Sequence, residues 1–524
     1  VTNITFVYSF DTIGVMVFVS LKKGTIFAPV FEITKHFIIM TANKKSLLQT
    51  LQTFSPNFWV ASFLQLMERW GFYGIFTLLP LYLVASTDEG GLGLSHSEKG
   101  SIIGNVTAIQ YFLPLVFGVI ADRIGYKLSL TISCLIMAVG YYLMGEVNTY
   151  WSMYMVFLFA AIGGGFFKPV INGTVARNTD DTTSTLGFGI FYMMVNIGGF
   201  IGPAMSSSLR TMLGWRIIFV QAAVVMIINL LVVLFFYKEP KMAQRDSKPL
   251  LTEIKESVLH IIEALRDSRL TILLILMVGF WTMFNQLFYT LPNFIQDWVD
   301  SSAMSLWINQ HLPFLGTMLT ENGQVKAEWF VNIDSLMIIF FQVVVSYFVT
   351  KMTHVSAMIR GTIIGTIGVT LTFMFNNVWF TIIGTMIFSV GEMAASPTLS
   401  AFIAQITPKG KEALYQGTYF LPVAMGNYLA GLISGDLYEK WSDKYAFLQA
   451  EMANRQIAMP EGLTRNEYFA LAEQKLGLSQ SQITEMLWQT YTPEKMWYLI
   501  FGIGLFAAVS LYLYNKIMVK KLAN

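Results

Sequence analysis

Five charged side chains interrupt long apolar stretches of this sequence. They are Glu68, Arg69, Lys168, Asp334 and Glu392. The first three lie in the first half of the chain and the last two in the second half, so a cavity between the halves would have one positive and one negative wall. Such a cavity suits a zwitterion. Its carboxylate would meet Arg69 and Lys168, and its ammonium would meet Glu392 and Asp334.

The same carboxyl groups are candidate proton carriers. Burial disfavours the charged form of a carboxyl group, whereas a neighbouring cation favours it. The arrival of a charged solute can therefore change the number of protons that such a site holds. The chemistry of these residues predicts a transporter that binds a zwitterion and takes up protons.

The elements that carry these charges are predicted to be membrane helices. In the first apolar stretch, polar and aromatic residues recur at helical spacing on one face, which consists of Gln65, Glu68, Arg69, Phe72 and Phe76, with Tyr73 beside it. Lys168 follows three glycines and precedes Pro169, but no strand precedes them and the spacing differs from that of a phosphate-binding loop. An ionised side chain in hydrocarbon is costly unless it faces a cavity or a partner. The polar face of the first apolar stretch and the side chain of Lys168 must therefore point into the protein.

Composition supports a polytopic membrane protein. The chain has 524 residues, of which 54% are hydrophobic and only 13% charged, and its mean hydropathy is +0.55. These values exclude a disordered chain and an ordinary cytosolic enzyme. The net charge of +2 offers no excess for binding nucleic acid. Cys134 is the only cysteine and the five histidines are scattered, so we expect no disulfide, no metal site and no cofactor. The candidate proton carriers described above make the proton the expected coupling ion.

Twelve apolar stretches are long enough to span a bilayer. In order, they are residues 57–85, 99–121, 127–147, 150–174, 187–209, 214–237, 270–296, 331–350, 356–376, 378–403, 413–437 and 496–517, and they are called spans 1 to 12 below. We predict two six-helix bundles, 56–237 and 270–524, joined by a linker at 238–269 that contains an amphipathic helix. Two large loops, 297–330 and 438–495, are predicted on the outer face, and the second has helix-like sequence that would cap it.

The distribution of basic residues predicts the orientation. If span 1 begins inside, nineteen Lys and Arg residues lie in inner segments and ten in outer ones. Both termini are therefore predicted to be cytoplasmic, in a multi-pass protein of the inner cell membrane. Residues 1–55 would form an extension and a cytoplasmic lead. We expect Met40 to be the true start, with an additional peripheral segment at 1–39 as the alternative.

Several motifs resemble those of known transporters. After span 2, GVIADRIGYK resembles the cytoplasmic loop motif of the major facilitator superfamily, which implies a gating role for Gly118, Asp122, Arg123, Gly125 and Lys127. Within that superfamily, five stretches resemble the proton-dependent oligopeptide transporter family, in order through most of residues 56–437. They are QLMERWGFYG, GGGFFKP, FYMMVNIGGFIGP with Asn196, FWTMFNQ with Trp281, and GEMAASPTLSAFIAQITP with Glu392, Ser396 and Pro408.

The resemblance implies an all-α, twelve-helix major facilitator fold with a central site that opens alternately to each side. It also implies a monomer that couples uptake of di- and tripeptides to proton influx. Carried over, Arg69 and Lys168 would contact the peptide carboxylate and Glu392 the amino terminus. Tyr73, Tyr111 and Asn196 would line the site, and Glu68 would belong to the proton-coupling group.

This sequence departs from the family pattern at several positions. Gln65 replaces the first acid of the span 1 motif, and Asp334 stands where the family has an Asn in span 8. In the family, an Arg of span 1 and an acid of span 7 form a pair, and this sequence has Phe76 and Asn285 at those positions. Many bacterial members also have two additional helices between the bundles, for which the linker at 238–269 is too short. Our hypothesis is that Asp334 takes over part of the charge lost at Gln65.

Three other functions are alternatives to proton-coupled peptide uptake. The same fold could carry a non-peptide solute in either direction, with altered or absent proton coupling. A membrane enzyme would need paired His and Asp residues or carboxylate clusters near a membrane surface, and the sequence offers none that convinces. A channel would not need oppositely charged walls and helices interrupted by Gly and Pro.

Overall fold

The structure is a computed structural model that describes residues 51–180, 183–240, 249–407, 415 and 417–519. From Pro56 onward the chain forms one compact unit. The predictions made for 1–39, for Met40 and for Pro408 concern residues outside the described ones. The architecture is helical, with a single two-stranded hairpin among the described residues, and this confirms the predicted all-α class.

Each of the twelve predicted spans contains a helix of the described chain. Spans 1 to 6 are formed by Pro56–Phe76 with Leu79–Val84, His96–Ile124, Tyr126–Met144, Tyr150–Arg177, Ser184–Leu213 and Arg216–Phe235. Spans 7 to 12 are formed by Ser268–Phe284 with Gln286–Tyr289 and Leu291–Trp298, then Ala327–Val349, His354–Met374, Val378–Ile406, Phe420–Leu432 and Met496–Tyr514.

Ten helices of the described chain are long and apolar enough to cross a membrane. Spans 1 and 11 are not among the ten. In span 1 the helix is interrupted after Phe76 and resumes at Leu79 with Pro80 in its first turn, and span 11 passes into a π-helical turn at Ile433–Leu437. Large apolar side chains such as Val343, 81% exposed, and Phe506, 68% exposed, cover the outside of the bundle, as expected of a surface in contact with lipid.

Side-chain caps define where several of these helices begin. Ser95 and Glu98 form a capping box at the start of span 2, and Thr149 and Ser152 form another at the start of span 4. Each cap satisfies backbone N–H groups that have no partner within the helix. The helices are therefore bounded by polar residues at the predicted membrane surfaces.

The loops and the linker also contain helices. The linker holds Leu250–Ala264, as the amphipathic pattern predicted. The first large loop holds the helices Ser302–His311 and Pro313–Leu319 and a hairpin of β1, Thr320–Glu321, and β2, Gln324–Val325. The second loop holds Tyr438–Trp441, Lys444–Asn454, Arg465–Leu476 and Gln480–Tyr491, which confirms its predicted helical character.

The two halves contact each other at one end of the bundle, which is called the closed end below. The predicted orientation makes it the outer end. There, the ammonium of Lys99 in span 2 donates to Asn293 of span 7 at 3.0 Å, and Asn293 donates to the carbonyl of Pro80 at 3.1 Å. Ser207 of span 5 donates to Glu328 of span 8 at 2.6 Å. These polar contacts join spans 1, 2 and 5 to spans 7 and 8.

Glycines allow spans 2 and 11 to touch at the closed end. A Cβ atom added to Gly100 would lie 2.2 Å from the carbonyl oxygen of Gly431 and 2.5 Å from the Cα of Gly435. Both neighbours are backbone atoms, so no side chain can move aside. This close approach requires glycine, and it brings the two halves into backbone contact.

Gly100→Leu is expected to open the closed end, because the added side chain overpacks backbone at a cost of about 1–3 kcal/mol. Opening can be measured with a reporter cysteine, Thr290→Cys, whose position on span 7 is buried. The reagent is a membrane-impermeant maleimide. The native Cys134 is the only cysteine of the sequence and is buried, so it should not compete for the label. Labelling should be faster in the Gly100→Leu background. The matched control is Gly502→Leu on span 12, where a Cβ meets open space. Equal labelling rates in both backgrounds would contradict the packing account.

Candidate functional site

Span 1 carries a bidentate ion pair. The guanidinium of Arg69 donates to both carboxylate oxygens of Glu68 at 2.5 Å, and both side chains are buried. Phe72 and Tyr73 cover the guanidinium, which lies 4.7 Å and 5.4 Å from their ring centroids. The predicted polar face therefore exists, but the charges of Glu68 and Arg69 cancel each other within it.

Of the two cations predicted for the site, Arg69 and Lys168, only Lys168 has no carboxylate bonded to it among the described residues. Its ammonium lies 4.0 Å from the ring centroid of Tyr111 on span 2, and it interacts electrostatically with both Arg69 and Glu68. Span 4 comes close enough because Gly164 and Gly165 lie against Gln110 and Leu113 of span 2. The structure thus brings Arg69, Tyr111 and Lys168 into one wall.

Two carboxyl groups form the opposite wall. Asp334 of span 8 and Glu392 of span 10 interact directly, and Ser389 lies next to Asp334. Spans 8 and 10 pack together, and Gly391 packs against Gly361 and Gly365 of span 9. Asp334 is only 3% exposed. The two carboxyl groups are hydrogen-bonded to each other, and Oδ1 of Asp334 and Oε2 of Glu392 are both buried.

Tyrosines connect the two walls. Tyr73 interacts electrostatically with Glu392 across the halves, and Tyr192 of span 5 interacts with both Glu392 and Asp334. Tyr192 is 38% exposed, although it lies among these buried groups. An exposed side chain in such surroundings faces an internal opening, so the two walls line one chamber.

The remaining predicted site residues lie around this chamber. Asn196 is one turn from Tyr192 and donates to its carbonyl at 2.9 Å. Ser396 interacts with Tyr419 at the start of span 11, and the ring centroids of Trp281 and Tyr419 are 6.4 Å apart. Tyr192 and Tyr419 were not predicted as site residues. Tyr192 was visible within the span 5 motif, whereas Tyr419 had no signal in the sequence.

The predicted gating loop is bonded within the first half. Asp122 accepts from the hydroxyl of Tyr126 at 3.0 Å and pairs with Arg177 of span 4 at 3.8 Å. Lys127 donates to the carbonyl of Leu234 at 2.9 Å. Gly125 has a φ of +98°, which favours glycine.

An acid in the linker completes this loop. Glu239 accepts from the backbone N–H groups of Tyr126 and Lys127, both at 2.7 Å. It was not predicted, because its partners are backbone groups more than a hundred positions earlier in the chain. Gly118 lies beside Pro169 of span 4, and Arg123 is exposed. The loop thus links the ends of spans 2, 4 and 6 at the end opposite to the closed one.

One group of the described residues has the composition of a metal site. His96, Asp297 and Asp443 each offer a ligand atom within 4.8 Å of the others. However, Nδ1 of His96 faces the ammonium of Lys99 at 3.2 Å, and the charges of Lys99 and Lys444 act on Asp297. Burial raises the pKa of Asp443 to about 6 against the opposing charge of Arg465. These cations make the group an ion network that fastens the 438–495 loop to spans 2 and 7.

Comparisons with known proteins agree with this architecture. The sequence profile of the Major Facilitator Superfamily matches residues 58–308 and 301–450. The chain is 23% identical over 458 residues to the peptide transporter YePEPT of Yersinia enterocolitica, an alignment that covers 71% of this chain and 86% of that protein. It is 30% identical over 220 residues to dipeptide and tripeptide permease A of Erwinia pyrifoliae, covering 40% of this chain and 42% of the permease.

A solved structure shows the same fold. The crystal structure of a transporter of the POT family in complex with 5-aminolevulinic acid superimposes with a TM-score of 0.61 at 19% identity, and the match covers 85% of this chain and 100% of that chain. The predicted major facilitator fold, with two six-helix bundles, is thereby confirmed.

Glu68→Gln is expected to destabilise the protein, because it leaves the buried Arg69 without its partner. Breaking a buried ion pair costs about 3–5 kcal/mol, which should appear as a lower melting temperature in detergent. The double variant Glu68→Gln with Arg69→Gln removes both charges and should recover most of the loss. If the single and the double variants were equally destabilised, the pair would not be the stabilising feature.

Proposed function

The chain belongs to the major facilitator superfamily, and on that premise we propose that it imports di- and tripeptides, or peptide-like zwitterions, together with protons. The observation that carries this proposal is the chamber with Lys168 on one wall and Asp334 and Glu392 on the other. The names of its relatives, peptide transporter and dipeptide and tripeptide permease, support it. As a member of this superfamily, the chain is a transporter and not an enzyme.

The substrate is oriented by its two charged ends. The peptide carboxylate binds at Lys168, whose own ammonium is held in place by the ring of Tyr111. The amino terminus of the peptide binds at Glu392 and Asp334. Charge-assisted hydrogen bonds of this kind are about twice as strong as neutral ones. Tyr73, Tyr192 and Asn196 line the space between the two ends. Trp281 and Ser396 both contact Tyr419, which lies at the border of this space.

Protons travel with the peptide through the carboxyl groups of the chamber. Two interacting buried carboxyl groups strongly disfavour carrying two negative charges, so Asp334 and Glu392 share a proton when the chamber is empty. An ammonium that arrives changes this balance and couples binding to protonation. Glu68 contributes through its pair with Arg69, because protonation of Glu68 would release the guanidinium to the peptide.

Transport requires that the closed end open while the opposite end closes. The polar contacts of Lys99, Asn293, Ser207 and Glu328 hold the present state. The loop of Asp122, Arg123 and Lys127 would then hold the opposite end when it closes. This is alternating access by two bundles around one central site.

The location and orientation of the protein are inferred from its apolar spans and from the distribution of its basic residues. It is a membrane protein of many spans, and we place it in the inner cell membrane with both termini in the cytoplasm, on the basis of its basic loops. It acts as a monomer without a cofactor, with the proton as its coupling ion.

A second candidate substrate class is a small non-peptide solute with both an amino and a carboxyl group. The departure at Gln65 favours it, and so does the 5-aminolevulinic acid bound to a structural relative. Such a solute would use Lys168 and the acid pair in the same way. Competition by peptides distinguishes the two classes.

Lys168→Ala and Glu392→Gln should each weaken dipeptide binding about tenfold or more, because each removes a charge-assisted contact. The measurement is competition by unlabelled alanyl-alanine against a labelled dipeptide in proteoliposomes with an inward proton gradient. The controls are Lys440→Ala and Glu461→Gln, two exposed residues of the 438–495 loop. Unaltered competition in the two chamber variants would remove the basis of the binding model.

Asp334→Asn should flatten the pH dependence of uptake. In the unaltered protein, uptake should rise as the outer solution becomes more acidic, because the acid pair must regain its shared proton from that solution after each release inside. An Asn cannot titrate, so the variant should lose this increase. Its profile is compared with that of Glu461→Gln, and a profile identical to the control would reject a coupling role for Asp334.

A further inference from the structure

The linker between the two halves contains a helix with an exposed apolar strip. The helix Leu250–Ala264 packs against span 2, with Ala264 buried and Ile254 half-buried. Four large apolar side chains of the same helix remain between 44% and 81% exposed: Leu251, Val258, Leu259 and Ile262. Their spacing places them on one side of the helix. This strip does not pack into the described part of the chain, so it is a surface for something outside it.

Basic residues border the strip. Lys255 lies four residues after Leu251 and four before Leu259, so it shares their side of the helix. Arg266 follows in the next turn, where its amide donates to the carbonyl of Glu263 at 3.1 Å. Both basic side chains are exposed, and neither forms an ion pair among the described residues.

The acids of the helix do not neutralise these two cations. Glu253 and Glu256 lie on the opposite side of the helix, and so does His260, whereas Glu263 borders the strip only at Leu259. The strip therefore combines an apolar centre with a positive edge. Apolar residues flanked by Lys and Arg are typical of helices that lie in the surface of a membrane.

The linker helix is close to the depth at which the spans leave the bilayer. Only residues 265–267 separate it from Ser268, where span 7 begins. At the end of span 6, Phe235 is 75% exposed and Phe236 is 66% exposed, so the lipid-facing surface of the spans extends to this end of the molecule. By the predicted orientation it is the cytoplasmic end, and the cytoplasmic leaflet carries negative surface charge.

We propose that the linker helix lies in the headgroup layer of the inner leaflet and binds anionic phospholipids there. Leu251, Val258 and Ile262 enter the boundary with the acyl chains, and Lys255 and Arg266 bind the headgroup phosphates. A zwitterionic lipid is a weaker ligand, because its own ammonium offsets the charge of its phosphate. This surface is additional to the transport function, and it uses the proposed orientation of the chain.

The lipid contacts a segment that belongs to both halves. The linker helix packs on span 2 of the first half and leads directly into span 7 of the second. A bound lipid thus fixes the depth of the junction between the bundles while they move around the central chamber.

Quenching by lipid tests the depth of the helix. The full chain carries one reporter cysteine, either Val258→Cys in the strip or His260→Cys on the opposite side, which is also exposed. The reporter is labelled with bimane in phosphatidylcholine vesicles, while the native Cys134 is buried and stays unlabelled. The quencher is phosphatidylcholine with a nitroxide on its acyl chain. Strong quenching is expected at 258 and weak quenching at 260.

A second comparison tests the preference for anionic headgroups. Nitroxide-labelled phosphatidylglycerol or phosphatidylcholine is added as a trace to unlabelled phosphatidylcholine, and quenching at 258 is compared. Phosphatidylglycerol should associate more strongly, by about fivefold for each basic residue that it meets. The double variant Lys255→Gln with Arg266→Gln should lose this preference, whereas Lys440→Gln, at an exposed position of the 438–495 loop, should retain it.

Equal quenching at 258 and 260 would overturn the seating of the helix in the membrane. Equal quenching by the two lipids would overturn the binding of anionic headgroups, and this comparison uses the unaltered basic residues. If neither lipid quenched at 258, the strip would face solution, and a cytoplasmic protein would be its occupant instead. None of these readouts involves uptake of peptides, so a failure here and a failure of the proposed function are distinguishable.

Discussion

A charge inside a bilayer must have a partner or a water-filled cavity, and this constraint shapes the centre of the molecule. Glu68 and Arg69 satisfy each other in a buried bidentate pair. The ammonium of Lys168 lies 4.0 Å from the ring centroid of Tyr111 and has no carboxylate bonded to it among the described residues. Asp334 and Glu392 are hydrogen-bonded to each other, and two neighbouring buried carboxyl groups disfavour carrying two negative charges. The charges that remain unsatisfied are therefore the ones that a substrate or a proton completes.

The packing of the spans converts this chemistry into directional transport. Spans 2 and 11 meet through glycines, so the two halves touch backbone to backbone at the closed end. Polar contacts between spans 5 and 8 and between spans 1, 2 and 7 add to this closure. Each of these bonds is individually modest, with a net worth of about 1 kcal/mol between neutral groups and about 1.5–3 kcal/mol where Lys99 or Glu328 takes part. Separate contacts of this size can be broken when substrate and proton change the charge of the chamber.

Much of the fold was predictable from the sequence, because hydropathy and spacing act locally. The twelve spans, the linker helix at 250–264 and the helices of the 438–495 loop follow from apolar length and from helical periodicity. The superfamily was predictable from motifs along the chain, and the match of its sequence profile confirms it. The chamber residues Lys168 and Glu392 were selected because an ionised residue in an apolar stretch is informative by itself.

The partners of these residues could not be predicted, since they are distant in the sequence. Nothing local indicates that Glu239 binds the loop after span 2, or that Tyr419 faces Ser396. The pairing of Glu68 with its immediate neighbour Arg69 was also missed, because separate roles were predicted for them: Arg69 as a ligand of the peptide carboxylate and Glu68 as a proton-coupling group. The consequence is a first wall with one available cation where two were expected.

The most direct test of the account is an electron cryo-microscopy structure of the protein with a bound dipeptide. The account predicts that the peptide lies between the halves, with its carboxylate at Lys168 and its amino terminus at Asp334 and Glu392. A peptide bound outside this chamber, or bound with its ends reversed, would contradict it.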